Sequence, residues 1–208
     1  MNLINRFVPK NDKLQLLHTD PTLTDAMSER LISWFPKIPR EYVVVCIGTD
    51  RSTGDALGPL TGSFFSEMKP KHINVYGTLA DPVHAINLED HIKLINAQHK
   101  EAFIIAVDAS LGKMTSVGSI ISDVGSLRPG AALNKNLPSV GDIHITGVVN
   151  ISGFMEYSIL QNTRLSLVVD MAKSIAALLE ALDQQLTYNR PLPAIIASNQ
   201  KRNRGVEA

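Results

Sequence analysis

The chain has 208 residues, 20 Lys and Arg against 20 Asp and Glu, 44% apolar and 19% charged residues, and one cysteine. That length fits one domain with a core that needs no staples, and the balanced charge removes any global argument for nucleic acid or an acidic surface as partner. A lone Cys46 excludes an intramolecular disulfide and points to a reducing compartment. The opening "MNLINRFVPKNDK" has no apolar run of signal-peptide length, and no run elsewhere is long enough to span a bilayer. A cytoplasmic protein with no membrane or nucleic-acid partner is expected.

In chain order, Asp20 suits a helix N-cap and Pro21 the first helical position. Leu23, Met27, Leu31 and Trp34 then recur at helical spacing, which predicts a helix over 21–35. "PKIP" ends it and leads to a strand from Tyr42 to Ile47, whose unbroken apolar run suggests burial on both faces, as in a parallel sheet. Within it, Cys46 reads as a small hydrophobe rather than a nucleophile. A polar loop follows, then a helical stripe of Leu57, Leu60, Phe64, Phe65 and Met68. "HINVYG" reads as a second strand, and "NLEDHIKLINAQH" as a helix with Leu88, Ile92 and Ile95 inward. "AFIIAVDAS" reads as a third strand with Asp108 at its C-terminal end. "GSIISDVG" and "DIHITGVVN" read as two more. Leu165, Val169, Ala172, Ile175, Leu179 and Leu182 share one face of a long final helix. Strands alternating with helices predict a doubly wound α/β sandwich, a three-layer α/β/α arrangement with a mostly parallel sheet. One domain is expected over 1–186, with a basic tail over 187–208.

The loop "CIGTDRSTGDALGP" raises the question of chemistry. Gly48, Gly54 and Gly58 lack the dinucleotide-binding spacing, no Gly-Lys-Ser/Thr follows, and Asp50 and Asp55 would repel a phosphate. A carboxylate reading is better. In an open parallel sheet, ligands bind beyond the carboxyl ends of the strands. Asp55 follows the first of these strands and Asp108 ends the third, so both fall on one edge, on strands that a doubly wound order can make neighbours. Two adjacent carboxylates do not both ionise cheaply: one keeps a proton and serves as acid, and the other serves as base toward water. The same pair can instead share a divalent cation. The structural alternative, that Asp55 caps the helix near Ala56 and Asp108 caps a turn, is equally consistent with the spacing.

Of the six histidines, His84 in "LADPVHAINL" falls on the same edge and is the best candidate for a ligand or proton shuttle. His144 fits a satisfied strand position. His18, His72, His91 and His99 fit surface or helix positions, and no His/Cys set has zinc spacing. In the long loop "SDVGSLRPGAALNKNLPSVG", Asn134 and Lys135 offer donors for an oxyanion or a peptide carbonyl, with plain loop solvation as the alternative.

Three blocks together, "GTDRSTGDALGP", "IIAVDAS" and "ISDVGSLRPGAALNK", resemble the germination protease of spore-forming bacteria. With "YGTLADPVHAINL" they resemble most the shorter YyaC-type sporulation proteins of that superfamily. The resemblance runs from Tyr42 to Leu182. It implies a phosphorylase/hydrolase-like α/β/α sandwich, shared with the hydrogenase maturation endopeptidases. It also implies Asp55 and Asp108 as the catalytic pair; His84, Asn134 and Lys135 are then the expected substrate-side residues. The implied activity is hydrolysis of a small spore or sporulation protein, such as a small acid-soluble spore protein, in the forespore or mother cell. No cofactor is required on this reading. The hydrogenase-type relatives add a metal-dependent alternative, with Asp55, Asp108 and His84 toward a divalent ion. A catalytically inactive sporulation scaffold on the same fold is the third reading, and a homo-oligomer stays open.

Overall fold

The computed structural model describes residues 13–129 and 137–188. Asn134 and Lys135 lie outside them, as does the expected tail beyond residue 188. The elements run β1 (Leu14–Leu17), α1 (Leu23–Ser33), β2 (Tyr42–Cys46), a 3-10 turn (Gly54–Ala56), α2 (Leu57–Glu67), β3 (Ile73–Tyr76) and α3 (Leu88–Gln98). They continue with β4 (Phe103–Gly112), β5 (Ser119–Val124), β6 (Ile143–Ile151), α4 (Glu156–Gln161) and α5 (Leu165–Tyr188).

The six strands form one sheet in the order β1-β5-β6-β4-β2-β3. The run β3, β2, β4, β6 is parallel, while β5 is antiparallel to both β6 and β1. The sheet is therefore mostly parallel with helices on both faces. Alternate residues of the central strands feed two apolar layers. Val44, Cys46, Ile105, Val107 and Ile145 pack with α1, α2 and α5. Val43, Val45, Ile47 and Ala106 pack with Leu88 and Ile95 of α3 and with Val140. All five residues of β2 are buried, as its continuous apolar run predicts. Cys46 is wholly buried, and burial pushes its thiol far above the usual range, so it packs and does not react.

Close backbone contact brings α2 onto the sheet. A Cβ on Gly58 would lie 2.0 Å from the Ile47 carbonyl oxygen. At the other end of the strands, Asp183 of α5 accepts hydrogen bonds from the backbone N–H groups of Lys71, His72 and Ile73 at 2.8–2.9 Å, which fixes where β3 begins. Beside it, Phe35, Tyr42 and Phe103 form an aromatic cluster with centroids 5.0 to 5.9 Å apart. Each such contact contributes about 1 kcal/mol beyond its buried area.

Four expectations change. The first helix starts at Leu23, because Asp20 Oδ1 accepts bonds from both the N–H and the hydroxyl of Thr22 and so shapes the turn before the helix instead of capping it. Strand β1 and the short helix α4 were not foreseen. Asp108 does not end its strand: β4 runs four residues further, to Gly112, because β6 continues to pair with it there. Helix α5 reaches Tyr188, two residues into the expected tail.

Candidate functional site

Strand β2 last pairs with β4 at Cys46 and Val107. One further bond, from Ile47 N–H to the Val107 carbonyl (2.7 Å), closes that seam, and Gly48 N–H then turns to the Val83 carbonyl (2.8 Å). Beyond this point β4 loses its β2 neighbour and continues paired with β6 alone, while β5 still flanks β6 on its other side as far as Gly147. The sheet edge is thus a step, and Asp108 is the first β4 residue above the end of β2.

The loop after β2 places Asp55 at the foot of that step. Thr49 N–H donates to the Asp55 carbonyl oxygen at 3.1 Å, so the loop closes on itself. Gly48 makes the closure geometrically available: its φ is +149°, and a Cβ there would stand 1.9 Å from the same Asp55 oxygen. In the run Asp55–Pro59, Ala56, Leu57, Gly58 and Pro59 are buried and Asp55 alone is partly exposed. Neither the 3-10 turn nor α2 has a side-chain cap, so Asp55 does not serve as the helix N-cap. Helix α4 braces the turn from behind, where Gly54 meets Leu160 and Thr163.

Asp108 is held up to about 8, first by burial of its carboxyl among protein atoms and further by the negative charge of Asp55. A bond of 2.8 Å from the Ala109 N–H to Asp108 Oδ1 pulls the other way and does not offset the burial. The residue as a whole is only partly buried, although its carboxyl is crowded by protein. Asp55, in the turn after β2, is thus near enough for its charge to act on Asp108 of the neighbouring β4. The bond from the Ala109 N–H lies within β4, so Asp108 does not cap a turn.

His84 lies one residue past Val83, which bridges to Ile47, and so falls on the same edge. Its Nδ1 accepts the Ile86 N–H at 3.3 Å, and its main chain bonds to Asn87 and Leu88 at the start of α3. The ring is turned into its own loop. Among the described residues no three His, Cys, Asp or Glu side chains group to hold a metal ion, so Asp55, Asp108 and His84 do not make the expected triad. His144 matches the satisfied strand position, with Nδ1 2.9 Å from the Gly125 carbonyl.

The sequence reading missed the rim of this edge. Leu79 and Ile86 after β3, Met114 after β4, and Phe154, Met155 and Tyr157 after β6 are all exposed, Phe154 at 99%. A notch of about 390 Å³ opens between the end of β6 and α4, lined by Asn150, Ile151, Phe154 and Met155 among others. The available signal was "GFMEY", an apolar cluster in a turn, where solvation favours polar residues.

The fold resembles the crystal structure of a [NiFe] hydrogenase maturation protease, HycI from Thermococcus kodakarensis KOD1. The TM-score is 0.51 at 19% sequence identity, over 74% of this chain and 98% of that one. That likeness defines an α/β fold of the maturation-protease type. The chain belongs to the family described as "Protein of unknown function (DUF1256)", whose model matches residues 15–178. It is 51% identical over 173 residues to the "Uncharacterized protein YyaC" of Bacillus subtilis (strain 168), covering 83% of this chain and 84% of that protein. Among the described residues, no helix is long and apolar enough to cross a membrane.

Proposed function

We propose that the chain is an aspartate-pair endopeptidase acting on a small protein of the sporulating cell, in the forespore or the mother cell. The observation that carries this reading is the Asp108 carboxyl, held up to about 8 beside Asp55 at the step of the sheet edge. At neutral pH such a pair offers one proton donor and one base. Asp55 takes a proton from water as its oxygen attacks the peptide carbonyl carbon, and Asp108 gives its proton to the carbonyl oxygen. Collapse of the tetrahedral diol breaks the C–N bond. The proton held by Asp55 then passes to the departing amine, and Asp108 regains its own from the diol hydroxyl. The net reaction is water plus peptide to acid plus amine.

The apolar rim supports a polypeptide substrate, since exposed apolar clusters at a cleft edge favour chain segments over small polar molecules. His84 is assigned to substrate positioning on that rim. The choice of a spore protein rests on the resemblance of the three sequence blocks.

Incubation of the full chain with extracted spore proteins, followed by mass spectrometry, tests the reading. Discrete new termini are expected with the wild type and none with Asp55→Asn or Asp108→Asn. Cleavage that persists in both variants, or no cleavage at all beside intact binding of a spore protein, overturns it; the second result favours the scaffold reading.

A further inference from the structure

A cleft of about 850 Å³ lies at the opposite edge of the sheet, where β2 and β3 begin. It falls within the roughly 300–1,000 Å³ typical of small-molecule sites. Its walls come from four separate segments: the connection from α1 to β2, the turn before β3, the end of α3, and Leu186 of α5. The apolar side includes Phe35 and Tyr42, whose rings stack at 5.0 Å with an interplanar angle of 28°.

The charged side has an excess of cations. Lys37, Arg40, Lys71 and Lys100 line the cleft against Glu41 and Glu101. Glu41 is already committed, with Oε2 2.6 Å from Nδ1 of His99, and the same histidine meets the Tyr76 hydroxyl at 2.9 Å through Nε2. Among the described residues none of the four cations forms an ion pair; the acid–base contacts at the surface join Lys93 to Glu89 and Asp90, and His99 to Glu41. In a chain whose charges balance overall, this is a local excess.

The carbonyl ends of α1 and α3 face the same edge, and cations there offset the helix dipoles. That role does not require a cleft or a stacked aromatic wall. It also does not require the cations to stand on the connecting segments, beyond the last helical turns, where all four are.

We propose that this cleft is a second binding site, for a small organic anion with a flat apolar body. The Lys37, Arg40, Lys71 and Lys100 side chains hold the phosphate or carboxylate group, and the body lies along Phe35 and Tyr42. The site is independent of the acid pair and of the peptidase reading.

Phenyl phosphate is a suitable probe, titrated into the isotope-labelled full chain with amide chemical shifts as readout. Inorganic phosphate and phenol, at matched ionic strength, separate the contributions of charge and ring. Saturable shifts are expected at residues 35–42, 71–74 and 98–101, with affinity for phenyl phosphate about tenfold above either control. Arg40→Gln and Lys71→Gln should each weaken binding roughly fivefold, the range of one charge-assisted contact. Shifts that do not saturate by about 10 mM, or that survive both substitutions, overturn the proposal. So does a loss of thermal stability in both variants with no bound probe in the wild type, which would leave dipole compensation as the role of these cations.

Discussion

The two edges of the parallel sheet are built from the same strands and carry opposite chemistry. The edge where β2 ends presents Asp55 and Asp108 at a step, ringed by exposed apolar side chains. The edge where β2 begins presents cations, without an ion pair among the described residues, around an aromatic wall. A net charge of zero says nothing of this local difference between the two ends. The two edges also differ in how they are held. The acid edge rests on glycine geometry and loop closure, while the basic edge rests on one buried carboxylate and an aromatic cluster.

Substitutions that attack each support separate the two edges. Asp183→Ala should have the largest effect: three backbone N–H groups lose their acceptor, for about 4 kcal/mol by urea denaturation. It should loosen the basic edge in hydrogen exchange while the loop around Asp55 stays closed. Gly48→Ala should cost about 3 kcal/mol, since its Cβ collides with the Asp55 carbonyl oxygen. It should abolish any proteolysis while leaving the opposite cleft intact.

The pH dependence follows from Asp108. Its pKa is raised from 3.8 to about 8, so the folded state binds the proton more tightly than the unfolded chain does. Stability from this group is full below about pH 4 and is lost as pH rises toward about 8. Asp108→Asn should therefore flatten the stability curve across that window and gain roughly 1–2 kcal/mol over the wild type near pH 8, with the partial exposure of the residue moderating the figure. Proteolysis by the wild type should fall above about pH 8, as Asp108 loses the proton it donates. Phe154→Ser should give the smallest structural effect, within about 0.5 kcal/mol for so exposed a residue. If the rim binds substrate, its KM should rise several-fold with kcat little changed.

The elements that sequence reading recovers are those whose signal is local. β2 and the first part of β4 are continuous apolar runs, and α5 has a long stripe at helical spacing. β1 escapes because four residues, "LQLL", carry almost no periodicity and pair with a strand about a hundred residues away. The end of β4 escapes because a neighbour decides it: β2 stops at Cys46 and β6 does not. α4 escapes because it opens on Met155 at φ +66° with no side-chain cap to announce it. Asp55 and Asp108 are singled out by their positions near strand ends, and the charge of Asp55 is felt at the Asp108 carboxyl. The basic cleft had no sequence signature at all, since its walls come from segments that only the fold assembles.

β1 is a four-residue edge strand, half-exposed, with its hydrogen-bonding partner Ser119–Ser122 closing a loop of about half the chain. Closing so long a loop costs entropy before any contact repays it, and four short rungs repay little. β1 is therefore expected to pair with β5 late in assembly, after the β2-β4-β6 centre. By the same logic it is the first rung to open, so the amides of β1 should exchange with solvent well before those of β2, through local fraying that leaves both edges of the sheet intact.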